Sequence, residues 1–450
     1  RYKLPHWPFD GVATSIKDVE NSMRILLVGA GGVGAAIAKI ASERSFFEVM
    51  VVADFDVKRA EDVIEWIRKR HSDEVAAKFI PAQIDASNAS NIVELCKLHN
   101  ITFLLNAVEP KFVPTVFSAA FTAGVGYMDM AMSLSEPHET DPFHKPGIKL
   151  GDAQYALNSQ WEKAGQLALI GMGVEPGLSN IFAKYAADEL FSEIDEVSIK
   201  DGSNLTVKNY KGDDIFAPSF SIWTVIEECL NPPIIYEKDK GWYTTEPFSE
   251  PEIFEFPEGI GAVECVNVEH EEIPMLPRTM DVKKVTFKYG LGTDFISVLK
   301  TLHHLGLDAT KPVRVRSASG PVDVAPRDVV VAVLPDPATL GPQMKGKACA
   351  GVLITGKDKN GKDRATYIYH VADNAETMSE YEAQCVVLQT AFNPLVALEL
   401  IAEGKWSGKG VMAPEQFPPI PFLDLMSSST GYHQKWFAQE RLPANPLALP

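Results

Sequence analysis

The chain has 450 residues, 46% hydrophobic and 23% charged, the make-up of an ordinary globular protein too long for one core. Its formal net charge of −18 excludes a phosphate-backbone partner, because nucleic-acid binding needs a basic face. No apolar stretch approaches the roughly 20 residues that span a bilayer, so no membrane partner is expected.

The polar, proline-containing start around Trp7 and Phe9 lacks the apolar core of a signal peptide. The first patterned element is the apolar run 25–28, which meets Gly29-Ala30-Gly31-Gly32-Val33-Gly34 and then a helix former at 35–41. This is a G-x-G-x-x-G turn between strand and helix, built to hold a phosphate-bearing dinucleotide. Gly29 permits the tight turn, Gly31 admits the pyrophosphate, and Gly34 allows close strand–helix packing. The N–H groups opening the helix add donors and a positive dipole end. A second apolar strand, 49–53, ends in Asp54, where a carboxylate holds the ribose 2′-OH and repels a 2′-phosphate. NAD is the expected cofactor; Lys58 and Arg59 in the same turn leave NADP open.

Helix and strand patterns then alternate: a helix over 59–70, a strand over 79–85, a helix around 92–96, a strand over 102–106, a helix over 113–123 and a strand over 126–129. Asp85, Asn106 and Asp129 end successive strands, on the edge where such sheets bind ligands. Each alone reads equally as a turn former or cap. Asp85 and Ala86 suit the adenine side, and Asn106 and Ala107 the nicotinamide half. Residues 133–160, broken by prolines, read as a loop or lid. A strand at 167–170 leads into Gly171-Met172-Gly173-Val174-Glu175-Pro176-Gly177 and a helix over 178–190. Beyond it, 197–200, 252–256 and 285–289 alternate like antiparallel strands with one wet face, and further strands are expected near 313–335 and 348–371.

The expected class is α/β: an N-terminal Rossmann doubly wound parallel sheet over 1–150, completed by a returning helical segment at 386–425. A second α+β domain with a mixed or antiparallel sheet covers 151–385, and a surface-wrapping tail covers 426–450. Cys96, Cys229, Cys265, Cys349 and Cys385 are odd in number and lack C-x-x-C spacing, which suits reduced thiols in the cytoplasm and no zinc site.

Four segments carry a resemblance: VGAGGVG at 28–34, LLNAVEP at 104–110, GVGYMDMA at 124–131 and ALIGMGVEPGLSNIFAKYAADEL at 168–190. Together they resemble the saccharopine dehydrogenase family, which includes saccharopine reductases, lysine 6-dehydrogenases and carboxynorspermidine dehydrogenases. The resemblance implies NAD(P)-linked hydride transfer, through an imine, at a C–N bond of an amino acid, an opine such as saccharopine, or a polyamine. It also implies a homodimer or larger homo-oligomer, with the second domain carrying the interface. Glu175 stands where relatives often have Asp, and 210–231 follow no single subgroup.

Amine oxidation needs a group that takes the ammonium proton. Asp129, ending a strand beside the expected nicotinamide among methionines, is the first candidate for acid/base or ammonium binding. Glu175, before a helix, either binds a substrate ammonium or stabilises the helix N-terminus. His270, enclosed by Glu269, Glu271 and Glu272, is either a protonated relay or part of a solvated acidic surface, and no metal is assigned to it. Lys200 and Arg278 are the candidates for a substrate carboxylate, with surface salt bridges as the alternative. Phe220, Trp223 and Trp242 line a pocket or belong to the core. Two other functions stay open: a carbonyl-reducing dehydrogenase with Tyr127 or His270 as acid, and a non-catalytic dinucleotide sensor, which would lack a desolvated acid in its cleft.

Overall fold

The computed structural model describes residues 23–209, 211–216 and 221–441; Trp7, Phe9 and Phe220 lie outside them. Strands β1 (Met23–Val28), β2 (Phe47–Asp54), β3 (Phe79–Gln83), β4 (Phe103–Asn106), β5 (Gly126–Asp129) and β6 (Leu167–Leu169) pair in the order β6-β5-β4-β1-β2-β3. Every pairing is parallel. The strands suit this because both faces are covered: Ile25, Leu26, Leu27 and Val28 are fully buried. The helix Val57–Arg70 starts where the Asp56 side chain accepts from Lys58 N, and it buries Ala60, Val63, Ile64 and Ile67 as one stripe.

The remaining strands are β7 (Phe191–Ser203), β8 (Thr206–Val207), β9 (Ile234–Glu237), β10 (Gly241–Thr244), β11 (Glu252–Phe256), β12 (Gly261–Asn267) and β13 (Lys284–Gly290). They are followed by β14 (Val313–Ser317), β15 (Gly320–Val324), β16 (Met344–Lys345), β17 (Lys347–Asp358), β18 (Asp363–Asp373), β19 (Gly410–Met412) and β20 (Trp436–Arg441). A mixed sheet runs β10-β9-β13-β7-β17-β18-β20, with β12 also on β13 and β11 on β12. Here β13 and β7 are parallel and the other pairs antiparallel.

Several expectations are corrected. The first lobe does not stop at 150, since β6 pairs with β5, while β19, within the expected returning segment, pairs with β6. Within 133–160, Glu136 and Ile148 form a bridge, and helices Asp152–Tyr155 and Asn158–Ala164 follow. The stretch 313–335 is not all strand. After the β14–β15 hairpin, Pro326 occupies the first turn of a helix, Pro326–Val333, which overrides the strand propensity of its valines. The tail is not merely wrapped over the surface, since β20 adds an edge strand to β18. All five cysteines are buried, unpaired thiols.

One apolar core runs through both lobes, from Ile25 and Ile37 through Phe182, Ile199 and Val352 to Leu395 and Phe422. At its centre lies the helix Cys385–Ala402, packed on the helix Gly32–Ala41, on β17 and on β18. By length and composition that helix could cross a bilayer, but it is a buried core helix here.

Candidate active site

The glycine loop takes the backbone shape its sequence requires. Gly29 has φ +104°, and a Cβ there would lie 2.8 Å from Ala107 O. A Cβ on Gly34 would lie 1.9 Å from Gly29 O, so the helix can pass this closely only with glycine. Gly31 faces open space with nothing within 4 Å of an added Cβ, as a pyrophosphate cradle needs. The loop forms one wall of a cleft of about 1220 Å³, which Ala30, Gly32, Val33, Asp54, Asp85, Ala86, Asn106 and Ala107 also line. Asp54 anchors the loop: its carboxylate accepts from Ala30 N at 2.7 Å and from Asp56 N at 3.0 Å. Arg59 lines the cleft beside it. Asp85 accepts from the Ser87 hydroxyl at 2.6 Å and from Ser87 N at 2.9 Å, which holds its carboxyl below the usual range. These residues fit a dinucleotide, which would bring hydride chemistry to the cleft.

Asp129 is corrected from the sequence reading. It is 1% exposed and does not line the cleft. One oxygen accepts from Gly171 N at 2.7 Å; the other accepts from Tyr127 OH at 2.9 Å and Gln154 Nε2 at 2.8 Å. Burial pushes its carboxyl up to about 7 against those three bonds. Tyr127 is fully buried, and its hydroxyl accepts from Asn106 Nδ2 at 3.1 Å, so it is not a cleft-facing acid either. The network instead fixes Gly171, where the turn to Glu175 begins.

That turn is closed by Gly173 N donating to Pro176 O at 2.7 Å and Leu178 N to Gly173 O at 3.0 Å. Gly177, at φ +130°, has no room for a Cβ, which would sit 2.1 Å from Gly173 O. The turn aims Glu175 at the cleft floor, where Glu228 and Glu271 also line the surface. Glu175 keeps some surface in the cleft, but its Oε1 is enclosed and has no hydrogen-bond partner among the described residues. Its carboxyl meets that of Asp201 from β7; burial, then the Asp201 charge, push Glu175 far above the usual range. Burial likewise raises Asp201 to about 6. Two carboxyls in contact cannot both stay ionised, so the pair holds a proton.

His270 is buried, not part of a solvated surface. Its ring lies on Phe287 at 3.8 Å and 7°, and Nδ1 meets Glu272 at 2.6 Å. Burial alone would strip its proton, but Glu272, Glu228 and Glu271 outweigh it and hold the imidazole up to about 10. Burial also raises Glu228 to about 8 and lifts Glu271 above its ordinary value. Ligand atoms of Glu228, His270 and Glu271 lie within 4.8 Å of one another. An organic cation in the cleft would find acceptors in the same carboxyls.

The other candidates lie elsewhere. Lys200 is on the far face of β7, paired with Glu252 beside Lys288. Arg278 binds Asp152 at 2.6 Å and stacks on Tyr155 at 4.3 Å, tying the lobes together. Trp223 stacks on Arg327 and Trp242 donates to Ile273 O; neither lines the cleft. The sequence reading missed Asp201 and Glu228. Strand alternation was the available signal for Asp201, because the neighbour of a far-facing Lys200 must face the site.

Two family models match end to end: the saccharopine dehydrogenase NADP binding domain over 25–169 and the saccharopine dehydrogenase C-terminal domain over 173–432. The chain is 29% identical over 430 residues to a carboxynorspermidine synthase of Vibrio alginolyticus, covering 94% of this chain and 99% of that protein. It is 27% identical over 401 residues to a carboxyaminopropylagmatine dehydrogenase of Synechocystis, covering 89% of this chain and 94% of the relative. In fold it resembles the apo saccharopine dehydrogenase (L-Glu forming) of Saccharomyces cerevisiae, with TM-score 0.63 and 13% identity over 94% of this chain and all of that one. With its dinucleotide loop, its second sheet and both halves matched, the chain belongs to the saccharopine dehydrogenase family of NAD(P)-dependent oxidoreductases.

Proposed function

We propose that the protein makes or breaks the C–N bond of a polyamine-type product, joining a short diamine to a carbonyl compound through an imine. The observation that carries this reading is the cluster of carboxyl acceptors on the cleft floor. Glu175, Glu228 and Glu271 line it, with Asp201 and Glu272 behind them. Among the described residues, Lys39 and Arg59 are the cations lining the cleft, and both belong to the glycine-loop end. A cationic amine suits such a floor, whereas a substrate with several carboxylates, such as saccharopine, finds no partner there. The names of the two relatives point to the same class. The desolvated acids also argue against a sensor without chemistry.

The Asp54 carboxylate favours NAD, and Arg59 beside it offers a 2′-phosphate partner, so the ratio of the two cofactors is measurable rather than settled by either residue. The unpaired buried thiols suit a reducing, cytoplasmic compartment. A homodimer is part of the proposal: Val313, Val315 and Val322 on the β14–β15 hairpin stay exposed on one face, and light scattering reads the state directly.

The test follows absorbance at 340 nm. NAD(P)H is supplied with an amino-acid semialdehyde and each of a series of α,ω-diamines, agmatine and lysine; saccharopine and triamines are run with NAD(P)⁺. Turnover with a diamine or triamine supports the reading. Turnover confined to lysine or saccharopine overturns it.

A further inference from the structure

Glu228 stands between the cleft and the buried histidine. Its side chain keeps 18% exposure and lines the cleft, and one oxygen lies 4.0 Å from His270 Nε2. The backbone enforces this approach, because Glu269 N donates to Glu228 O at 3.0 Å and joins the segment carrying His270 to the helix Ile222–Leu230. On its other side His270 Nδ1 meets one oxygen of Glu272 at 2.6 Å, and the second oxygen accepts from Ser179 Oγ at 2.6 Å. Ser179 belongs to the first turn of the helix Leu178–Tyr185, which the Gly173–Gly177 turn opens. Glu272 is 0% exposed and the ring is stacked on Phe287, so the imidazole has a fixed plane with a carboxyl at each nitrogen. His270 itself does not line the cleft; Glu228 does.

We propose that Glu228 exchanges the proton with the substrate nitrogen, and that His270, aligned by Glu272 and Ser179, is a positioning residue that sets the charge of Glu228. This rests on the reading that a C–N substrate occupies the cleft. In the reductive direction R–CH=N–R′, a proton and NAD(P)H give R–CH₂–NH–R′ and NAD(P)⁺. The nitrogen takes its proton from the Glu228 carboxyl, the imine carbon takes the hydride with its two electrons, and the resulting Glu228 carboxylate faces the His270 imidazolium. In the oxidative direction Glu228 takes the ammonium proton before the hydride leaves.

The groups around Glu228 explain why it can hold a proton at neutral pH. Burial raises it, and Glu271 and Glu272 from the helix Glu272–Thr279 and its N-terminus, with Asp201 from β7, push the same way. His270 opposes them. Tyr289 of β13 and Cys229 lie in the same group, each with Glu228 raising it. Glu175 faces Asp201 from the turn.

The experiment has two arms. In the first, Glu228→Ala loses about 100-fold or more in the rate of imine reduction while NAD(P)H binding, read by fluorescence, is kept; in the oxidative direction, where Glu228 takes the proton, about 0.2 M formate restores at least about tenfold, as a general base replaced from solution should. His270→Gln removes the positive charge and moves the alkaline limb of the kcat profile to higher pH by about one unit or more, with a smaller loss of maximal rate. Ser179→Ala, a gentler change should His270→Gln fail to fold, moves the limb the same way by less. Loss without formate rescue, or a limb that stays in place, overturns the proposal.

The second arm needs no substrate. Nitrogen-15 histidine NMR of the free protein shows His270 protonated at pH 8, with a downfield Nδ1 proton that Glu272→Gln abolishes. A neutral His270 at pH 8 overturns the positioning role. A wild-type protein with the protonated signature but no turnover of any amine overturns the functional reading instead.

Discussion

Replacing Asp129 with asparagine separates a structural carboxylate from a reacting one. Asp129 accepts three hydrogen bonds, from Gly171 N, Tyr127 OH and Gln154 Nε2. An amide has one accepting oxygen, so either its NH₂ faces Gly171 N–H or it faces the two donors on the other side. Rotating Gln154 offers no escape, since its Oε1 already accepts from Ser133 N at 2.8 Å. One unsatisfied buried donor and one lost bond to a charged group cost together about 3 kcal/mol. The cost depends on pH. With a folded pKa of about 7 against 3.8 for the ordinary group, the native state holds a proton the unfolded chain has released. Wild type thus gains stability on acidification from 7, at a slope approaching about 1.4 kcal/mol per pH unit and summing to about 2 kcal/mol by pH 5, and Asp129→Asn cannot. Urea titrations at pH 8 and pH 5 should show the gap between wild type and variant widening on the acid side. Turnover of the folded variant should stay within about tenfold of wild type, since Asp129 has no surface in the cleft. An equally stable variant that is a hundredfold slower would refute this account and return Asp129 to the chemistry.

Four other buried carboxyls titrate the same way. Asp201, Glu228, Glu269 and Glu415 have raised folded pKa values, about 6, 8, 7 and 7, so their contribution is full below about pH 4 and is lost as pH rises through those values. His270, raised to about 10, adds stability that fades between 6.5 and 10, so the melting temperature should fall steadily from pH 5.5 to 9.5. A maximum near pH 8 would contradict these shifts. Gly31→Ala should melt like wild type yet lose cofactor affinity at least about tenfold by fluorescence titration, whereas Gly34→Ala, forced against Gly29 O, should lower the melting temperature outright. Arg59→Ala should lower kcat/KM for NADP about tenfold or more and leave that for NAD within about twofold; equal losses with both would remove it from 2′-phosphate recognition.

The residues readable from sequence were those whose backbone geometry admits few substitutes. Gly29, Gly31 and Gly34 announce a close approach because no other residue fits their places. The parallel strands were legible because both faces are apolar. The second lobe was harder, since its sheet mixes β7 with strands from 150 residues further on, and no local pattern fixes that pairing. Lys200 and Asp201 show the consequence: one step along a strand reverses the face, and composition alone favoured the lysine. Glu228 looks like any partly exposed glutamate in an amphipathic helix until Glu269 is brought beside it. The helix Pro326–Val333 was misread because β-branched valines imitate a strand, and only packing decides.

The first sheet gains its edge strand β19 from a segment made about 240 residues after β6. The chain passes from the first lobe to the second after β6, returns with the helix Cys385–Ala402 and β19, and leaves again to lay down β20. During synthesis the dinucleotide lobe therefore emerges with an unfilled edge and an uncovered helix Gly32–Ala41 until Met412 is out. Such an edge invites pairing with the wrong strand. Chains truncated before Cys385 should be captured by chaperones rather than accumulate as a shortened cofactor binder, and cofactor affinity should arrive late, together with the last fifty or so residues of the described fold.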